Sequence, residues 1–189
     1  MNMTANFNTY IDNIKADFWR GLCVGEGELH CYEKGDEFVS AGRPGRYIGY
    51  MHSGTLKYVA HDDDGTEHVT GLEFAGEFVA DFPFSLYGQR SRVSIVATSQ
   101  CEIYRISVAR VAELMEADAR VREIVMHSTE AIFSTVYDRY LALYTRNPQQ
   151  RYNDLLSRHP DLFALFSLRD IASFLNITPT HLSRLRKNI

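Results

Sequence analysis

Cysteine, proline and tryptophan are scarce in this 189-residue sequence, at three, five and one residues. Three cysteines, Cys23, Cys31 and Cys101, cannot all pair with one another, so no disulfide framework organises the chain and a cytoplasmic setting is expected. No apolar run approaches the roughly 20 residues that span a bilayer. Met1 to Trp19 carries Asp12 and Asp17 among its apolar residues and lacks the basic-then-apolar order of a signal peptide. Twelve glycines and five prolines are too few for a collagen-like or linker-dominated chain. What is present is the balance of an ordinary folded protein, 45% hydrophobic and 23% charged.

Acid is missing from one stretch: none occurs from Ile171 to the C-terminus. The net charge of −4 hides an asymmetry. Residues 1–138 hold 12 Lys/Arg against 21 Asp/Glu, and residues 139–189 hold 8 against 3. An acidic body with a basic tail is the pattern expected when only the tail meets a polyanion.

Hydrophobic periodicity divides the chain into three textures. Phe7, Ile11, Ile14 and Phe18 stand at helical spacing, which predicts a helix over Phe7 to Trp19. From Gly21 to about Ile106, short β-rich runs alternate with turn signals: Tyr47 to Met51, Thr55 to Ala60, Thr66 to Leu72, Arg92 to Thr98 and Cys101 to Ile106, with Asp64-Gly65 as a hairpin turn. Several short strands at this spacing predict a β-roll, sandwich or jelly roll. Helices follow: Val108 to Met115, then a long one from an Asp118 cap to about Arg146, stopped by Asn147-Pro148. Its apolar positions are Val121, Ile124, Val125, Ile132, Val136, Leu143 and Tyr144. The reading leaves that stripe without a β-roll partner along its length, so burial against a second copy is expected. Gln149 to Ser157, Leu168 to Leu175 and a helix opened by Thr178-Pro179 complete the order.

The most specific stretch is Ser167 to Lys187. Ile171, Ala172 and Leu175 supply the inner face of one short helix, Ile177 plugs a turn, and Leu182 and Leu185 supply the inner face of the next. That is the pattern of a helix-turn-helix. Pro179, Thr180, His181, Ser183, Arg184, Arg186 and Lys187 are left facing outward, and Thr178 caps the helix. Hydroxyls and guanidinium groups there suit base edges and phosphates. The candidate DNA-binding set is therefore Thr178, Thr180, His181, Ser183, Arg184, Arg186 and Lys187. The bland alternative is a helical hairpin with a solvated basic end, in which Arg184 pairs with Asp170.

Taken together, β-roll, long helix and Ile171-Ala-x-x-Leu-x-Ile-Thr-Pro-x-x-Leu-Ser-Arg184, with Gly76-Glu77 and Cys101-Glu102 upstream, resemble the Crp/Fnr regulators. These are bacterial transcription factors built on a cyclic-nucleotide-binding domain. The likeness is to a short form, with no evident β-hairpin wing between the recognition helix and Ile189. It implies a homodimer through residues 118–146, double-stranded DNA as partner, and RNA polymerase as a further candidate partner. It also implies a small-molecule site in which a Gly-Glu turn holds a ribose and an Arg-Ser pair holds a phosphate. Gly76, Glu77, Phe78, Arg90, Ser91, Arg92, Val136 and Tyr137 are the effector-binding candidates on this basis. An ungapped count from Cys101 puts Ser91 where the phosphate Arg belongs, and a one-residue slip turns a strand side chain to the other face. Val136 stands where cyclic-AMP binders place a hydroxyl. Cyclic AMP is accordingly not the expected effector, and a repurposed or vestigial pocket is.

Other chemistries find less support. A cupin-like metal site needs a His-x-His with further ligands, whereas His52, His61 and His68 are spread over a hairpin. Asp62-Asp63-Asp64 reads as a solvated turn. Three cysteines fall short of the four an iron–sulfur sensor of the Fnr type uses; Cys23 and Cys31 could sense oxidants, but small buried residues is the commoner role. Nothing resembles a nucleophile–base pair, so no enzyme is expected. The resulting expectation is an α+β chain: a β-roll (double-stranded β-helix or jelly roll) sensor over 1–117, a dimerisation helix over 118–146 and an all-α helix-turn-helix over 147–189. Its function is DNA-binding transcriptional regulation; the rival reading is a ligand-binding or protein-interaction module without DNA binding.

Overall fold

The computed structural model describes residues 16–82 and 84–187. Two four-stranded antiparallel sheets face each other, in the orders β1-β8-β3-β6 and β2-β7-β4-β5. The strands are β1 (Glu28–Tyr32), β2 (Glu37–Val39), β3 (Tyr47–Ser53), β4 (Thr55–His61), β5 (Glu67–Phe74), β6 (Phe78–Val79), β7 (Ser94–Ala97) and β8 (Cys101–Ser107). The predicted β-roll is therefore present within an α+β chain. Three short strands, β1, β2 and β6, escaped the sequence reading because two to five residues carry too little alternation to register. Between the sheets lie Phe38, Met51, Leu56, Val79, Ile95, Ala97 and Ile103. The β3–β4 turn needs Gly54: its φ is +87°, and a Cβ there would stand 2.3 Å from the carbonyl oxygen of Gln100.

The helices are α1 (Ala16–Glu26), α2 (Val108–Ala117), α3 (Ala119–Thr145), α4 (Pro148–Arg158), α5 (Leu162–Leu165), α6 (Leu168–Phe174) and α7 (Pro179–Arg186). The N-terminal helix is a correction. Phe7, Ile11 and Ile14 lie outside the described residues, and α1 continues through Gly21 and Gly25, where β structure was expected. Trp19 and Cys23, one turn apart and fully buried, hold it in register, so tertiary packing overrides two weak helix formers. Asp118 caps α3 by accepting from the Arg120 amide at 2.8 Å, and Asn147 forms a reciprocal capping box with Gln150 before Pro148 opens α4.

α3 also corrects an expectation. Val121, Val125 and Ile132 pack with Trp19, Ile48, Ile106 and Val111 against the first sheet, so three of the seven predicted stripe positions do have a β-roll partner. The face left uncovered is Met126, Phe133, Val136, Tyr137, Tyr140, Leu143 and Tyr144. Its spacing of three, four and seven residues is that of a coiled-coil seam.

The C-terminal helices do not build their core alone. Tyr152, Leu155, Leu162, Phe166, Ile171, Ala172, Leu175, Leu182 and Leu185 are joined by Val69, Leu72 and Phe74 from β5. β5 is the edge of its sheet, and unpaired edge groups need cover. The Val69 amide donates to Ser173 Oγ at 2.9 Å, and Arg139 donates to the Thr70 carbonyl. His159 stacks flat on Phe74 with centroids 3.7 Å apart.

Candidate functional site

The helix-turn-helix forms as its residue pattern requires. Ser167 caps α6 and Thr178 caps α7, the latter by accepting from the His181 amide at 3.2 Å. Between them the chain reverses at Asn176, whose φ of +53° is the left-handed conformation that Asn tolerates better than most side chains. Ile171, Ala172, Leu175, Leu182 and Leu185 are buried and Ile177 packs beside them. Buried Arg151, on α4, donates to the carbonyls of Arg146 at 2.6 Å and Leu175 at 3.1 Å, and so closes the ends of α3 and α6. Thr178, Thr180, His181, Arg184 and Lys187 are exposed on α7 and its cap, while Ser183 is half-buried. Arg186 lies with its guanidinium 4.1 Å from the centre of the Phe163 ring.

Asp170 does not pair with Arg184. It accepts from Lys57 Nζ of β4 at 2.8 Å and from Ser167 Oγ, which fastens α6 to the β-roll. Burial alone would raise the Asp170 carboxyl, but the bonds from Lys57 and Ser167 outweigh it and leave its pKa below the ordinary value. A carboxylate depressed on folding contributes stability above its unfolded pKa and loses it as pH falls through the folded value. Asp170→Asn is therefore expected to destabilise the protein at neutral pH by up to about 1 kcal/mol, given partial solvent screening. The difference from wild type should fade as pH drops through the lowered pKa of Asp170, below the ordinary carboxylate range, in denaturant titrations at several pH values.

A cavity of about 750 Å³ opens where β4, β5, α3 and α6 meet. Tyr58, Phe78, Ala80, Phe82 and Val93 line it from the β-roll side, Ile132, Phe133, Val136, Tyr140 and Leu143 from α3, and Ser173, Phe174 and Asn176 from the helix-turn-helix. Glu73, Asp81 and Arg139 bring charge to its wall. Burial, and then the neighbouring Glu77 carboxyl, push Glu73 well up; burial also raises Glu77 and Asp81.

Of the effector-binding candidates, Phe78 and Val136 line this cavity and the others do not. Gly76 sits in a turn with φ +90°. Glu77 is folded inward, its Oε2 accepting from the Phe74 amide at 2.8 Å. Arg90 is exposed and donates to the Gly42 carbonyl at 3.2 Å; Arg92 is exposed as well. Ser91 is buried with its hydroxyl on the Val93 backbone. Tyr137 stands on the open face of α3 between Phe133 and Tyr140. Arg90 and Arg92 stand in the irregular segment before β7, where Arg90 is bridged to Pro44. Glu73, Asp81, Arg139, Ser173 and Asn176 were not singled out from the sequence. No local motif joins residues from four elements, although an acid at position 73 inside an apolar β-run was a legible signal. Cys31 is exposed, unlike the buried Cys23 and Cys101. Among the described residues no helix is long and apolar enough to cross a membrane.

Comparison with known proteins agrees with this architecture. Residues 29–118 match the family model of the cyclic nucleotide-binding domain. The CRP-like protein Clp of Xanthomonas campestris pv. campestris is 31% identical over 75 residues, which are 40% of this chain and 33% of that protein. The matched stretch thus spans about a third of the length of the curated relatives. Among solved structures, FixK2 from Bradyrhizobium japonicum superposes with a TM-score of 0.71 at 17% identity, covering 86% of this chain and 83% of the other. The c-di-GMP responsive global regulator CLP from Xanthomonas campestris gives 0.65 at 18% identity, covering 91% and 90%.

Proposed function

We propose that this chain, whose residues 29–118 match the cyclic nucleotide-binding domain and which resembles the Crp/Fnr regulators, is a cytoplasmic, homodimeric, DNA-binding transcriptional regulator. Its division of labour follows the sequence boundaries: a sensor over 1–117, a dimerisation helix over 118–146 and a DNA-reading unit over 147–189. The observation that carries the reading is α7, which presents Thr180, His181, Arg184 and Lys187 to solvent at the acid-free end of the chain. In a two-fold dimer, two such helices would meet half-sites about 34 Å apart, one turn of DNA. Phe133, Val136, Tyr140 and Leu143 belong both to the open face of α3 and to the cavity wall, so a second copy seated there would roof the cavity. A small-molecule effector in that cavity would touch the β-roll and the helix-turn-helix at once.

Arg184 stands one turn beyond Thr180 and His181, where a guanidinium can fork onto a guanine. Arg184→Ala is expected to relax base preference at one position per half-site, costing roughly 1–3 kcal/mol of discrimination. Lys187, near the helix end, suits a phosphate; Lys187→Ala should weaken binding to every sequence and lower the salt slope by about 1. Selection of bound fragments from a random pool, with gel shifts over a salt series, reads both. Unchanged base preference in the Arg184 variant, alongside a lowered melting temperature, would assign Arg184 a structural role instead.

A further inference from the structure

The cavity wall holds two carboxylate oxygens that have lost water and gained nothing. Glu73 is 2% exposed and Asp81 is 5% exposed, and neither Glu73 Oε2 nor Asp81 Oδ2 has a hydrogen-bond partner among the described residues. Buried acceptors in native proteins are nearly always satisfied, so an unsatisfied pair beside an open cavity marks where a donor belongs. The remaining wall is apolar and aromatic, with Phe78, Phe82, Phe133 and Phe174 among its residues.

We propose that this cavity binds an arylalkylamine in its ammonium form, with the ammonium donating to Glu73 and Asp81 and the ring lying among the phenylalanines. The assignment rests on the effector-sensing reading above and gives that site its ligand chemistry. Burial raises both Glu73 and Glu77, and the neighbouring Glu77 carboxyl raises Glu73 further; of the two, Glu73 lines the cavity. Tyr58 and Arg139 also face Glu73. Arg139 is held by the Thr70 carbonyl and by the Phe174 ring, 4.4 Å from its guanidinium, and its charge offsets one carboxylate. The Glu73–Glu77 pair and Asp81 together leave the site acidic. An anion brought between Glu73 and Asp81 would be repelled and stripped of water, since Arg90 and Arg92 do not line the cavity and the lining Arg139 is engaged by Thr70 and Phe174. A cation over aromatic faces gains from their quadrupoles as well. Since Ser173, Phe174 and Asn176 form part of the wall, an occupant also links the β-roll to the helix-turn-helix.

The test uses matched probes on the full chain: tryptamine and phenethylamine against indole-3-acetate and 3-phenylpropionate, with cyclic AMP as a fifth arm. Ligand-observed NMR and thermal shift should detect both amines and neither acid, and cyclic AMP should not displace the amines. Asp81→Asn and Glu73→Gln should each weaken amine binding tenfold or more; far-ultraviolet circular dichroism identifies a variant that fails to fold, and the probe comparison on wild type stands without it. Binding of the acids or of cyclic AMP in preference, or no binding of either amine at about 10 mM, a ligand concentration that detects affinities as weak as about −4 kcal/mol, overturns the assignment. Gel shifts separate the two readings: amine binding with no DNA binding would keep the site and remove the regulator, and the reverse would do the opposite.

Discussion

In the proposed dimer, glutamates at positions 137 and 144 are expected to yield a monomer of 21.6 kDa and to reduce specific DNA binding to that of a single half-site. Tyr137 and Tyr144 are 51% and 75% exposed in the single chain, and neither lines the cavity, so the substitution leaves the β-roll and the cavity-lining side chains of each chain in place. The aromatic row Phe133, Tyr137, Tyr140 and Tyr144 stacks along one side of α3 with centroid separations of 5.1 to 6.4 Å. A two-fold interface repeats every substitution, so Tyr137→Glu with Tyr144→Glu would bring four carboxylates into one apolar seam. Each costs more to bury than the tyrosine it replaces. A penalty of about 3 kcal/mol for the whole set already raises the dimer dissociation constant more than 100-fold. Sedimentation velocity at micromolar protein should show the shift, with the melting temperature of the chain little changed. Two recognition helices bind about the square of what one does, so half-site affinity should be all that remains in a gel shift. An unaltered sedimentation coefficient would place the interface elsewhere.

Trp19→Ala is expected to lower stability by roughly 3–5 kcal/mol, the range for a fully buried aromatic in a core that cannot collapse around the gap. Trp19 is the tie between α1, the first sheet and α3. Its indole donates to Ser128 Oγ at 2.9 Å, and its ring packs 4.9 Å from Phe78 and 5.4 Å from Phe18. Removing it empties the centre of the cluster that seats the first half of α3, and it deletes a hydrogen bond joining residues 109 positions apart. For a chain of this size the loss corresponds to a fall in melting temperature of about 6–20 °C. Thermal unfolding followed by circular dichroism measures it, and Trp19→Phe should recover part of the loss through packing but not the bond to Ser128. A fall below about 3 °C would mean that the core around Trp19 relaxes without cost.

Both expectations concern α3, whose sequence shows an apolar helix but not which neighbour each position meets. The sequence by itself determined the longer strands, the helices α2, α3, α4, α6 and α7, and several of their caps. Asp118, Asn147-Pro148 and Thr178-Pro179 stop and start helices through hydrogen bonds to residues two or three positions away. Buried Ile171, Ala172, Leu175, Leu182 and Leu185 follow from the helix-turn-helix spacing. These interactions are local, and local chemistry is legible in order along the chain. Tertiary structure decided the rest. That Val121 and Val125 face the β-roll while Tyr137 and Tyr144 do not depends on where Trp19 sits, more than a hundred residues earlier. That Glu77 turns inward to the Phe74 amide, and that Arg90 and Arg92 miss the cavity, depends on how the turn between β5 and β6 and the irregular segment before β7 fold. The acidic cavity itself exists only because β5, an edge strand, is covered by α3 and α6. Its charged groups, Glu73, Asp81 and Arg139, acquire their meaning from burial, and burial is a property of the assembled fold, not of any one segment.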